Sequence, residues 1–90
     1  MKREEILKTA KSCVCGERVE DYGMPEDNFL RIASYWSVYL NHPVTPRDVA
    51  MMMILLKVAR ANLGGTDDCY VDIAGYAACA GEIYNGGENI

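Results

Sequence analysis

Residues 45–65 read TPRDVAMMMILLKVARANLGG, and the fold turns on this stretch. Thr45 stands where a helix N-cap is needed, Pro46 at the first helical position and Asp48 at the third, a strong start signal. Gly64-Gly65 supplies the stop. From Val49 to Leu63 the predicted helix is apolar almost all round. A helix with no polar face is either buried on every side or shared between subunits. Three neighbouring helices in a 90-residue chain do not easily cover such a helix, so a homo-oligomer is expected.

Three more helices read outward from this one. The first runs from about Arg3 to Asp21, with Ile6, Ala10, Cys13, Val14 and Glu17 on one stripe and a weak point at Gly16. Tyr22-Gly23 ends it. The second opens at Pro25, with Glu26 and Asp27 favourably placed in its first turn. Phe29, Ile32, Ala33, Trp36 and Leu40 form its core face, and Asn41-His42-Pro43 stops it. The fourth begins near Thr66-Asp67-Asp68 and runs to about Tyr84, its surface kept small by Gly75, Gly81 and several alanines. No alternating β-branched run exists. The chain therefore reads as one all-α domain over residues 1–90, an antiparallel four-helix bundle-like domain with short loops.

Composition narrows the function classes. Half of the residues are hydrophobic, and the net charge is −4. An acidic balance argues against a general nucleic-acid binder, which carries a basic face. Small anions stay within reach, because two or three local cations hold a phosphate. The charged start, Met1-Lys2-Arg3-Glu4-Glu5, is not a secretory apolar segment. The most apolar run, Val49 to Leu56, is far short of the roughly 20 residues a membrane span needs. A cytoplasmic protein with no membrane contact is expected. Cys13, Cys15, Cys69 and Cys79 lack zinc-ribbon spacing and read as reduced, partly buried thiols.

The ions on the third and fourth helices are the candidates for chemistry. Lys57 and Arg60 are three apart on one side of an otherwise apolar helix. Asp68 and Asp72 are four apart on the next helix, with Gly75 on the same face. A short Gly-Gly turn brings the two pairs to one mouth of the bundle. Two readings stay open: a salt-bridge network that fixes helix register, or a site in which Lys57 and Arg60 hold phosphate oxygens while the carboxylates bind Mg²⁺. Glu17 and Glu20 form a second acid pair that suits either a solvated face or metal binding. Tyr22 and Asn28, around the loop into the second helix, suit either a nucleotide's base or sugar edge or a simple turn. His42 reads as incidental. No residue stands in a nucleophile motif, and none is singled out as catalytic.

Tyr22-Gly23-x-Pro25-x-x-Asn28-Phe29, Asp48-Val49-Ala50-x-Met52 through Leu56-Lys57-x-Ala59-Arg60, and Asp72-Ile73-Ala74-Gly75-Tyr76 together resemble a family of small phage and prophage proteins of unassigned function. The likeness covers most of residues 17–84. More distantly, the chain is similar to the all-α MazG-like nucleoside triphosphate pyrophosphohydrolases, which use Mg²⁺ held by E-E-x-x-E and E-x-x-D motifs. Asp72 looks like the aspartate of the second motif. Cys69 takes the place of its glutamate, with Asp68 one residue back, and Lys57 and Arg60 occupy the helix expected to carry the first motif. That resemblance implies a dimer or tetramer that binds a nucleotide and hydrolyses it with Mg²⁺, releasing pyrophosphate. The alternative is a non-catalytic, homo-oligomeric helical interaction protein of phage or prophage. Either way, an interface is expected on Val49 to Leu56 and a ligand site around Lys57 and Arg60, facing Asp68 and Asp72.

Overall fold

The computed structural model describes residues 1–16, 20 and 23–83. Four helices make up the described chain: α1 (Arg3–Cys15), α2 (Pro25–Leu40), α3 (Pro46–Asn62) and α4 (Asp67–Ile83). No strand occurs among the described residues, as the absence of alternating β-branched runs predicts. None of these helices is long and apolar enough to cross a membrane.

Local chemistry sets the helix ends. At α3, the Thr45 hydroxyl accepts from the Asp48 N–H at 3.0 Å while the Asp48 carboxylate accepts from the Thr45 N–H at 3.0 Å. This reciprocal box satisfies two donors that the first turn leaves without helical partners. At α1 the arrangement is one-sided. The Glu5 carboxylate accepts from the Lys2 N–H, but a lysine side chain has no acceptor to return. That helix stops at Cys15, where Gly16 leaves helical conformation. The break falls at the predicted weak point, and residues 17–19 and 21 of the expected continuation to Asp21 lie outside the described residues. Asn41 closes α2 in the left-handed region, at φ 53°, a conformation asparagine tolerates better than most residues. The Ser37 hydroxyl then accepts from the Val44 N–H at 2.8 Å, tying the following turn back onto α2.

Between α3 and α4 the chain reverses through Gly64, whose φ is +84°. A Cβ on Gly65 would sit 2.8 Å from both the Ala61 Cα and the Cys69 sulfur. The Gly-Gly pair therefore permits a left-handed bend and then a close backbone approach. The resulting α3–α4 hairpin is the most extensive helix–helix contact, with α1 packed on α4 and α2 on α3. The Met1 ammonium meets Asp67 at the start of α4, and Val14 lies against Gly75 further along it. In this geometry α1 runs in the same sense as α4, which departs from the expected antiparallel alternation.

The core gathers Phe29, Ala33, Val49, Ala50, Cys79 and Ala80. Ile32 and Trp36 pack against it as the α2 stripe predicts, while Leu40 at the helix end is exposed. Burial along α3 is narrower than its composition suggests. Val49 and Ala50 are buried, whereas Met51, Met52, Leu55 and Leu56 are exposed. Within one chain, the segment Val49–Leu56 is buried on one side only.

Replacing Thr45 by alanine removes one arm of the α3 cap and is expected to cost about 1 kcal/mol. For a domain of this size, calorimetry should record a fall in Tm of roughly 4–8 °C. A Tm unchanged from the parent chain would show that the box contributes nothing to stability.

Candidate functional site

The α3–α4 hairpin determines where the charged residues meet. On α3, Lys57 lies on the same side as buried Val49, Ala50 and partly buried Met53, so its stem runs toward α4. Its Nζ reaches the Asp72 carboxylate at 2.9 Å, and both side chains are partly shielded from solvent, at 16% and 33% exposure. Such shielding strengthens the pairing relative to a fully solvated pair. Arg60 and Asp68 stay exposed one turn nearer the hairpin end. All four side chains line one cavity of about 580 Å³, which Thr9, Cys13, Thr66 and Cys69 help to wall. The structure thus brings together the two cations and two carboxylates that helical spacing placed at one mouth.

A second cleft, of about 270 Å³, opens on the other side of Asp72. Asn28, Phe29, Ile32, Gly75 and Tyr76 are among its walls. The Phe29 and Tyr76 rings meet at 6.0 Å between centroids with a 47° tilt. Asp72 and Cys13 border both spaces, so a charged cavity and a largely apolar, aromatic cleft share a wall. The periodicity of α1 places Cys13 on its inward stripe, but no sequence signal marks where the interior is hollow. Thr9 and Thr66 were likewise not legible as site residues: threonine at a helix face or a helix start carries no distinctive pattern.

The remaining candidates separate. Asn28 lines the aromatic cleft. Glu20 is exposed and lines neither space. Glu17 and Tyr22 lie outside the described residues. His42, with its ring Nδ1 3.0 Å from the Pro43 carbonyl oxygen, is exposed on the α2–α3 turn.

The donor set limits which metal the site suits. Among the described residues, no group of three or more His, Cys, Asp or Glu side chains is placed to hold a metal ion. Asp68 and Asp72 on one cavity wall match a different pattern. Mg²⁺ commonly uses one or two carboxylates, keeps several waters and shares substrate phosphates. The fit is therefore to a cation that arrives with a phosphate ligand, not to a protein-only cage.

All four cysteines are free thiols. Burial, followed by the nearby Glu26 carboxylate, pushes the Cys79 thiol up to about 11 from about 9. The folded state then holds a proton that the unfolded chain releases first. This stabilisation is complete below about pH 9 and is lost as pH rises toward about 11.

Two measurements follow from this geometry. In a double-mutant cycle of Lys57→Met and Asp72→Asn, denaturant unfolding should give a coupling of about 1 kcal/mol, discounted for the partial exposure of Asp72. Additive losses would mean that the contact adds no stability. Separately, unfolding midpoints measured across alkaline pH should fall more steeply for the parent chain than for Cys79→Ala. Parallel slopes would remove Cys79 from the pH dependence.

Comparison with known proteins places this architecture. The model of a family described as a domain of unknown function, DUF6378, matches residues 5–84. The Gene 55 protein of Mycobacterium phage D29 is 44% identical over 82 residues, covering 90% of this chain and 54% of its own length. The Gene 55 protein of Mycobacterium phage L5 is 50% identical over 74 residues, covering 80% of this chain and 47% of its own. The chain spans about half the length of these curated relatives. No solved structure matches. The cavity walled by Lys57, Arg60, Asp68 and Asp72 and the adjoining aromatic cleft both lie within the matched residues 5–84, and the chain belongs to the DUF6378 family.

Proposed function

We propose that this domain binds a nucleoside triphosphate together with Mg²⁺, in the manner of a MazG-like pyrophosphohydrolase. The observation that carries the reading is the shared wall at Asp72, which joins a charged cavity to an aromatic cleft. A nucleotide has the same division, with an anionic phosphate tail and a flat base that stacks on aromatic side chains. Lys57 and Arg60 take phosphate oxygens; the planar guanidinium of Arg60 offers two parallel donors and the Lys57 ammonium a compact charge. Asp68 and Asp72 hold the cation, and Asn28 contacts the base or sugar. Binding requires Lys57 to exchange part of its contact with Asp72 for phosphate, which leaves the carboxylate available to the metal.

When bound, Mg²⁺ neutralises phosphate charge and lowers the pKa of a coordinated water. The residues of this chain orient the phosphates and offset the charge that develops as the α–β bond breaks. Hydrolysis at that bond is the reading the MazG-like resemblance supports, with the helical domain working as a homo-oligomer in the cytoplasm.

A second reading, a non-catalytic homo-oligomeric interaction protein of phage or prophage, draws support from a different observation. Lys57 and Asp72 already satisfy each other, and a large apolar surface on α3 stays exposed.

A panel of ribo- and deoxyribonucleoside triphosphates, with and without Mg²⁺, separates the two. The first reading expects Mg²⁺-dependent thermal stabilisation, about 2.7 kcal/mol at a ligand concentration near 100 times Kd. It also expects pyrophosphate release, with Asp72→Asn losing the Mg²⁺ dependence and Arg60→Ala binding at least about tenfold more weakly. Stabilisation without pyrophosphate would leave a nucleotide-binding module. If no nucleotide stabilises the parent chain and no pyrophosphate appears, the nucleotide reading fails.

A further inference from the structure

α3 divides lengthwise into two faces. Val49, Ala50, Met53, Ile54, Lys57 and Ala61 turn toward the rest of the chain. Asp48, Met52, Leu55, Ala59 and Asn62 stand exposed on the opposite side. Their spacing alternates four and three residues, the repeat that keeps one seam of a helix facing a neighbouring helix. Met51, Leu56, Val58 and Leu63 widen this stripe and are also exposed, Leu55 at 66% and Leu63 at 90%. The face carries no lysine, arginine or glutamate, and its single carboxylate, Asp48, is occupied at the helix cap.

We infer that this outer face of α3 pairs with the same face of a second copy, the two helices running antiparallel about Leu55–Leu56. Area supports a second copy as the occupant. The six large exposed side chains of α3 and its cap present roughly 600 Å², which, covered on both copies, reaches ~1,200 Å², the lower end for a stable interface. A strip whose one charged side chain, Asp48, sits at its end also suits isologous pairing, where a surface must complement itself. The sizes of its residues match in the antiparallel sense. A two-fold axis near Leu55–Leu56 sets Met52 of one copy against Ala59 of the other, large against small, so the backbones approach closely. Parallel pairing would instead set the two Asp48 carboxylates side by side and align the helix dipoles, both unfavourable. This interface rests on the homo-oligomer of the proposed function and gives it a surface; because it lies on the side of α3 away from Lys57, nucleotide binding by the single chain stands or falls separately.

Sedimentation of the parent chain at micromolar concentration should show a dimer. Leu55→Arg, which places a charge on a side chain already exposed in the monomer, should keep the helical circular dichroism and weaken association about thirtyfold or more. Tyr39→Ser, on the exposed part of α2, should leave association unchanged. Orientation is read in a Cys15→Ser background. Leu55→Cys should form an inter-chain disulfide on mild oxidation, whereas Leu63→Cys, distant from its counterpart in an antiparallel pair, should not. A monomeric parent chain would overturn the proposal, as would a dimer that tolerates Leu55→Arg or separates on Tyr39→Ser. Efficient cross-linking through Leu63 would overturn the antiparallel pairing.

Discussion

A helix that is apolar on nearly every side cannot be buried on every side by a chain this short, and the structure is organised around that constraint. α3 gives one side to the core, where Val49 and Ala50 are buried beneath α2 and α4. It leaves the other in solvent. Burial stabilises at about 25 cal/mol per Å² of apolar surface removed from water, so the exposed half of α3 is stabilisation the single chain does not realise. The reciprocal cap at Thr45 and the Gly64-Gly65 reversal fix the ends of the helix. They therefore also fix which side of it faces α4.

That same rotation creates the charged cavity. Lys57 belongs to the inward side of α3, and only because α4 folds straight back does its ammonium meet Asp72 at 2.9 Å. A small residue on α4 lets α1 approach as well. Gly75 takes no side-chain volume where Val14 presses in, since a Cβ there would lie 3.2 Å from the valine methyl. Gly75 and Asp72 thus serve two different neighbours from one helix: Gly75 admits Val14 of α1, and Asp72, one turn earlier, pairs with Lys57 of α3.

Helix identity was legible because it rests on local chemistry. The Thr45–Asp48 box, Pro25 and Pro46 at helix starts, and the glycine stops act within a few residues, and each element begins where these signals place it. The stripe from Phe29 to Trp36 was readable for the same reason, since a 3.6-residue period reports a buried face directly. Leu40 fits the period but lies at the helix end and is exposed. α1 ends at Gly16, where the local cost of glycine outweighs a continuing apolar stripe. Lys57, Arg60, Asp68 and Asp72 were also legible as a group, because a four-residue connection leaves little choice in how adjacent helices face. Cys13, Thr9 and Phe29 were not legible as cavity walls. Inward direction is periodic, but empty space is not.

The order of the residues alone was enough to specify four helices, their caps and an acidic chain with a strongly apolar third helix, since each follows from interactions within a turn or two. It was not enough to specify that α1 runs in the same sense as α4, that Asp72 divides a charged cavity from an aromatic cleft, or that the exposed strip of α3 is one continuous face. Those depend on the rotation and crossing of helices far apart in sequence. Side-chain volumes at Val14, Gly75, Val49 and Cys79 decide them together, and no short stretch of chain contains that sum.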